Sequence, residues 1–336
     1  MTATPVPALS NTALIDTLNA RLETALAPYL SDAPFALVDF PDHANVGDSA
    51  IWLGETAFFA RHGKRPHYCS SLKTHDHDAM RKAIGSGPIF LHGGGNFGTL
   101  WQAHQDFRIA LMERFPGNPI IQLPQSIHFE SDLAANATVA AIARHGGFTL
   151  FVRDTPSQAF AEQRLGCATI LAPDMAFCMG VQRRGAPAHD IFCLMRTDHE
   201  KSVTGALPAT PRTVAAGDWL TEDRARIRRA RVVSRLLGLA DADGAALRTF
   251  DRLAQMRVQR GLDQLSSGRV VITDRLHGHI LSTLAGIPNV TLDNSYRKLG
   301  NFIDAWTAPS PIHRPATTLD GAMAEAEALL TEEVAA

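Results

Sequence analysis

"VVITDRLHGHILSTLAG", residues 270–286, decides how the chain folds. Its first part, Val270 to Ile272, is a β-branched apolar run of the kind that fills a buried strand, and its last part, "HILSTLAG", carries apolar residues at helical spacing. A strand that becomes a helix across a handful of polar residues is half of a β-α-β unit, the repeating piece of a parallel sheet. The bridge "DRLHG" therefore lies over a helix N-terminus, where backbone amides and the helix dipole attract anions. Arg275 offers a bidentate clamp for phosphate or carboxylate, and His277 offers a donor or a transferable proton. His279, inside the helix, points away from His277, so it reads as a packed or capping histidine and the two as a poor metal chelate.

The same alternation extends in both directions. Residues 12–30 have an amphipathic helical pattern, followed by the short apolar runs "FALVDF", "GPIFLH", "NPIIQLP", "FTLFVR" and "ATILAP", with helical patterns between them. A second series starts with "HDIFCLMR", passes through helical segments near 221–239 and 244–266, and gives "RVVITD" and "NVTLDN". "GVQRRGAPAH" concentrates Gly, Pro and charge and marks a boundary near 180–188. The expected fold is α/β, with two Rossmann-like domains facing a cleft, residues 1–184 and 185–318. The Pro-rich "TAPSPIHRPATT" (307–318) then interrupts the pattern before a last helix within 319–336. Open parallel sheets bind ligands beyond the carboxyl ends of their strands, so the loops after the strands are expected to carry the chemistry.

Composition narrows the partners. The 336 residues are 45% hydrophobic and 20% charged, ordinary for a soluble chain and more than one core usually organises. A formal charge of −2 provides no global basic field for nucleic acid, which points to a small anion met locally. The N-terminal residues lack the basic and apolar regions of a signal peptide, and no apolar run is long enough to span a bilayer, so a cytoplasmic location is expected. Cys69, Cys167, Cys178 and Cys193 show no CxxC spacing and read as small buried hydrophobes rather than disulfides or a zinc site. "THDHD" (74–78) is metal-like in composition but precedes a helix in a polar loop and reads as solvated surface. No metal is expected.

Polar residues gather at the strand ends. In "PDHANVGDSAIWLGE", Gly47 supplies a turn and Asp48 is either the helix N-cap or a carboxylate available as a base, with Asn45 beside it. "HGGGNFGTLW" brings Gly94, Gly95 and Asn96 together; it is neither GxGxxG nor a P-loop and reads equally as a tight turn or a binding loop. "LPQSIHFE" offers Gln125, Ser126 and His128. Arg153 ends a strand while Asp154 starts a helix, and Asp174, Arg196, Asp198 and His199 follow later strands. "DNSYRKLGNF" adds Tyr296, Arg297 and Lys298, of which at least one cation is expected to join Arg275 around one anion.

Taken in order, "NVGDSAI", "HGGGNFGTLW", "LPQSIHF", "PDMAF", "RTDHE", "DRLHGHILSTLAG" and "DNSYRKLGNF" resemble the polysaccharide pyruvyl transferase family over residues 35–306, most closely its bacterial exopolysaccharide and biofilm-matrix branch. The resemblance implies a GT-B-like fold and transfer of pyruvate from phosphoenolpyruvate to a sugar diol as a cyclic ketal, with phosphate released and no resident cofactor. It assigns phosphoenolpyruvate to Arg275, Leu276, His277 and Gly278 in the C-terminal domain, with Arg153, Tyr296 and Lys298 as further ligands. The N-terminal domain then takes the acceptor, a glycan or lipid-linked oligosaccharide, with Asn45, Gly47, Gly94, Gly95, Asn96, Gln125, Ser126, Asp174, Arg196 and His199 as acceptor or cleft residues. His277 is the candidate acid, Asp48 the base, and Arg275 with Lys298 stabilise phosphate. A nucleotide-sugar glycosyltransferase and a non-catalytic matrix-assembly protein of the same fold are the alternatives. Finally, "TEDRARIRRARVVSRLLG" (221–238) crowds six arginines onto one helical segment. It reads as a solvated charged face, with peripheral contact at a membrane bearing lipid-linked acceptor as the rival.

Overall fold

The computed structural model describes residues 10–197, 208–237, 244–293 and 297–335. Its strands are β1 (Ala36–Val38), β2 (Tyr68–Ser70), β3 (Ile89–Leu91), β4 (Gly94–Gly98), β5 (Ile120–His128), β6 (Phe148–Val152), β7 (Ala168–Leu171), β8 (His189–Leu194), β9 (Val214–Gly217), β10 (Gly268–Thr273), β11 (Asn289–Leu292) and β12 (His313–Ala316). The α-helices are α1 (Asn11–Leu26), α2 (Val46–Arg61), α3 (His77–Ile84), α4 (Gln102–Arg114), α5 (Asn136–His145), α6 (Thr155–Arg164), α7 (Arg224–Leu237), α8 (Ala245–Ser266), α9 (Leu276–Leu284), α10 (Lys298–Phe302) and α11 (Leu319–Ala335). Two parallel sheets result, ordered β2-β1-β3-β5-β6-β7 with β4 beside β5, and β12-β11-β10-β8-β9. Each is the Rossmann-like α/β arrangement expected of a GT-B-like chain, and the apolar runs are its central strands. β1 and β3 are buried throughout, as strands covered by helices on both faces must be.

Four strands depart from the expectation. β2 ("YCS") and β9 ("VAAG") are short edge strands without a β-branched run. β12 lies inside the Pro-rich segment; Pro315 lacks a donor and is tolerated because β12 is an edge. The glycine run forms β4, and Gly98 sits so close to β5 that a Cβ would lie 1.9 Å from the His128 carbonyl oxygen. β5 itself continues through His128, so Gln125, Ser126 and His128 are strand residues rather than loop residues.

The chain forms two compact units: an N-terminal unit of Arg21–Met179 with Leu220–Val258, and a C-terminal unit of Met1–Ala20, Gly180–Trp219 and Gln259–Ala336. This differs from a single cut at 184/185 for physical reasons. Phe40 stacks on Phe250 at 4.2 Å, Trp52 Nε1 donates to Asp251 at 2.8 Å, and Arg231 donates to Asp42 at 2.7 Å, so α7 and the first part of α8 belong to the N-terminal unit. Asn11 Nδ2 donates to the Thr283 carbonyl within the C-terminal unit. α11 buries Ala322, Met323, Ala326, Leu329 and Leu330 in the core over the second sheet, at about 1.5–3 kcal/mol for each large side chain, and so belongs to that core.

Candidate active site

In the N-terminal unit the polar residues converge at the carboxyl ends of β1 and β3. Asp39, directly after β1, holds a φ of 73°, a left-handed value that costs a non-glycine residue about 1–3 kcal/mol and persists only where surroundings enforce it. Its buried carboxylate lies 2.9 Å through each oxygen from His104 Nδ1, in the first turn of α4. A carboxylate only accepts, so the proton belongs on Nδ1 and Nε2 is the ring's basic nitrogen. The His104 side chain is 19% exposed against 1% for Asp39, so the ring reaches solvent while its partner does not. Asn96 Nδ2 donates to Asp39 at 3.2 Å, and Asn96 Oδ1 accepts from Arg108 Nη2 and Gln125 Nε2. Arg108 is fully buried and also donates to Gln122 and Gln105; burial pulls its pKa down to about 10.

Asp48 is not the cap of α2. Asn45 is, accepting from the Gly47 amide at 3.1 Å, while its Nδ2 donates to Asp48 Oδ2 at 2.8 Å. Asp48 stands three residues into the helix, 3.6 Å from His43 Nε2, and a Cβ on Gly94 would sit 3.6 Å from Asp48 Oδ1. The glycines of β4 thus let backbone approach a carboxylate. Behind them Glu55 and His92 form a buried pair at 2.9 Å, with Glu55 Oε1 accepting from the Gly93 amide. Burial pushes Glu55 up; burial opposes the charged His92, but the adjacent Glu55 outweighs it and raises His92.

Arg153 points into this unit's interior. It is 2% exposed, donates to Asp174 at 2.6 Å and to Ser126 Oγ at 3.0 Å, and Ser126 in turn donates to Asp154. Asp154 caps α6 as expected. His75 of "THDHD" is only partly solvated: its ring meets Ser70 Oγ at 2.9 Å and His77 at 3.0 Å, and burial pulls its pKa down to about 4. Among the described residues no group of three His, Cys, Asp or Glu is arranged to hold a metal ion.

In the C-terminal unit, β10 delivers Arg275 to the N-terminus of α9, which no side chain caps. Arg275 is 3% exposed and donates to Asp218 Oδ2 at 2.7 Å, with its guanidinium 5.9 Å from the Trp219 ring centre. Asp218 also accepts from the Thr197 amide and hydroxyl; burial opposes its charge, but the hydrogen bonds from Arg275 and Thr197 hold its carboxyl below the ordinary range. Asp274 accepts from the Arg196 amide at 2.9 Å, and burial pushes its carboxyl up. His277 is buried in the first turn of α9. Gly278 packs instead of facing a ligand, since a Cβ there would lie 2.4 Å from Thr273 Oγ1. His279 is structural, bridging Asn289 and Thr307, and burial pulls its pKa down to about 4.

Asn45, Gly47, Asp48, Gly94, Gly95, Asn96 and Gln125 are therefore grouped in one unit, and Arg275, Leu276, His277, Gly278 and Arg196 in the other. His199 and Tyr296 lie outside the described residues, as does the Lys298 side chain. Arg297 turns to Asp304 at 2.9 Å on the surface. Sequence reasoning missed Asp39, His104, Asp218 and Asp274. Asp39 and Asp274 were each signalled by an acidic residue closing an apolar run, "FALVDF" and "RVVITD"; His104 and Asp218 carried no comparable mark.

The chain matches the family described as "Polysaccharide pyruvyl transferase" over residues 45–296. It is 32% identical over 295 residues to Pyruvyl transferase 1 of Schizosaccharomyces pombe, covering 81% of this chain and 69% of that protein. It is 29% identical over 303 residues to the Putative pyruvyl transferase EpsO of Bacillus subtilis, covering 88% and 92%. Its fold is similar to the crystal structure of a functionally uncharacterised protein of Klebsiella pneumoniae, with a TM-score of 0.61, 19% identity, and coverage of 90% of this chain and 99% of that one.

Proposed function

The chain belongs to the polysaccharide pyruvyl transferase family, and on that premise we propose that it moves pyruvate from phosphoenolpyruvate to two hydroxyls of a glycan, as a cyclic ketal. The observation that carries the proposal is the R-L-H run, Arg275 to His277, seated at the uncapped N-terminus of α9 with Arg275 anchored by Asp218. A helix start and a guanidinium together suit a compact polyanion.

In the reaction an acid gives a proton to the methylene carbon, which becomes the methyl group, and C2 gains oxocarbenium character. One sugar hydroxyl adds to C2 and loses its proton to a base. The C2–O bond to phosphate breaks, and the second hydroxyl closes the ketal, its proton leaving with phosphate. His277 and the burial-raised Asp274 are the candidate acids, and Arg275, with Lys298, stabilises the leaving phosphate. Within the N-terminal unit, His104 is a stronger candidate base than Asp48, because the buried Asp39 takes up Nδ1 and leaves Nε2 as the ring's acceptor on a side chain that reaches solvent. Asp48 is then an acceptor for a sugar hydroxyl.

The test is incubation of the purified chain with phosphoenolpyruvate and bacterial exopolysaccharide fragments, following phosphate release and the ketal methyl signal by NMR. Acceptor-dependent release with a ketal product supports the reading. Transfer from a nucleotide sugar, or no release with any diol while phosphoenolpyruvate fails to bind, overturns it.

A further inference from the structure

We propose that the outer face of α7 is a docking surface for an anionic lipid bilayer. Among its described side chains the helix buries a narrow stripe, Ile227, Ala230 and Ser234. At about 100° per residue, the opposite crest carries Ala225 and Val232, with Arg228 and Arg229 on its flanks and Arg224, Arg226 and Val233 beyond them. All of these are exposed. Arg231 is committed to Asp42, and the Arg235 side chain lies outside the described residues. Arg224, Arg226, Arg228 and Arg229 make no ion pair among the described residues, and α7 contains no acidic residue. The chain as a whole carries −2, so this face is a local positive patch and not a sample of a basic protein.

The apolar crest selects the partner. Val232 is 53% exposed and Val233 38%, set among arginines with long aliphatic stems. A cationic helix with exposed aliphatic residues suits the headgroup and acyl boundary, where charge meets anionic lipid and the valines leave water. Nucleic acid would favour aromatic platforms, and α7 has none. Nor is α7 a spanning element: among the described residues no helix is long and apolar enough to cross a membrane. Within the same unit, the Arg231–Asp42 ion pair ties α7 to the loop that carries Asp39 and leads into α2, in whose first turn Asp48 stands. Docking α7 would hold that acidic loop close to the lipid surface.

The proposal is independent of the pyruvyl chemistry, and its assay contains no substrate. The full chain is sedimented with phosphatidylcholine vesicles that contain or lack phosphatidylserine, at low and physiological ionic strength. Binding only to the anionic vesicles, weakened by salt, is expected. Arg224→Gln/Arg228→Gln/Arg229→Gln should lower the partition coefficient about fivefold per arginine, roughly a hundredfold in all, while the matching Lys triple retains binding. Val232→Ser, which leaves every charge in place, should reduce the binding that survives salt. The control Arg81→Gln/Arg144→Gln/Arg212→Gln, an equal charge change elsewhere, should bind as the unmodified chain does, and circular dichroism should show all variants folded. No sedimentation at low salt, an equal loss in the control triple, or tighter retention on single-stranded RNA than on anionic vesicles would overturn it.

Discussion

Arg275→Ala probes the anion anchor and its scaffold at once. Arg275 is nearly buried, and its Nη2 lies 2.7 Å from an Asp218 carboxylate whose side chain is only 9% exposed. Truncating the guanidinium leaves that carboxylate in place without its cation, and breaking a buried pair from one side costs about 3–5 kcal/mol. Asp218 keeps hydrogen bonds from the Thr197 amide and hydroxyl and from the Trp219 amide, so a loss near the low end, ~3 kcal/mol, is expected. Arg275→Ala/Asp218→Asn removes the orphaned charge while keeping an acceptor oxygen, and should recover more than half of that loss. Phosphoenolpyruvate affinity should not recover, because a charge-assisted contact of roughly 1.5–3 kcal/mol is gone in both variants, about a 10- to 150-fold rise in Kd. Urea unfolding followed by tryptophan fluorescence, paired with calorimetric titration of phosphoenolpyruvate, separates the two effects. Wild-type stability in Arg275→Ala, or wild-type affinity in the folded double variant, would refute the reasoning.

His104→Gln and Asp39→Asn should each lower kcat by about 10²–10⁴-fold and leave the phosphoenolpyruvate Kd within a few-fold, as expected of a base and the residue that orients it; an equal fall in affinity would make His104 a ligand instead. Asp251, which accepts from Trp52, has its carboxyl pushed up to about 6 by burial. In that case the folded state binds the proton more readily than the unfolded chain, and stability falls as pH rises from about 4 to about 6. Asp251→Asn escapes that loss, so it should be more stable than the unmodified chain at pH 7, by at most roughly 3 kcal/mol, with the advantage gone near pH 4; a constant offset at both pH values contradicts the account. Gly278→Ala forces a Cβ to 2.4 Å from Thr273 Oγ1 and 3.0 Å from Leu194, an overpacking cost of about 1–3 kcal/mol that should appear as a Tm several degrees lower. An unchanged Tm would show that α9 shifts freely.

The central strands could be read because each is an apolar run long enough to fill its place between helices, and the edges could not because neighbours define them. β2 is three residues, "YCS", paired with β1 from Tyr68 opposite Ala36 onwards, and β12 is "HRPA", paired with β11. Neither has the composition of a strand; each completes the backbone hydrogen bonds of a strand that does. β4 is the sharper case. Glycine-rich segments are poor strand formers, yet the Asn96 amide donates to Gln125 Oε1 and the Gly98 amide to Gln105 Oε1, so side chains from β5 and α4 hold it in place.

The candidate residues of the two units were unequally legible for a related reason. Arg275 and His277 take their meaning from a helix start that the local pattern already defines, and the structure places them there. Asp39 and His104 are 65 residues apart, and what makes them a pair is that β1 ends where α4 begins. Asp48 shows how narrow the local rule is. A capping residue is the last one outside the helix, and Asn45, with an extended ψ of 119°, is that residue; its side chain already serves the Gly47 amide. A carboxylate three positions on is spared the capping task while still sitting in the favourable field of the helix start, where it can accept from a hydroxyl donor. If capping had been its role, Asp48→Asn would cost little, since asparagine caps as well as aspartate. Because Asp48 instead accepts from Asn45 and faces the glycine strand β4, the same substitution removes a charge from the proposed acceptor side. The Tm should stay within about a degree on either account, but the KM for the glycan should rise, which a capping role would not produce.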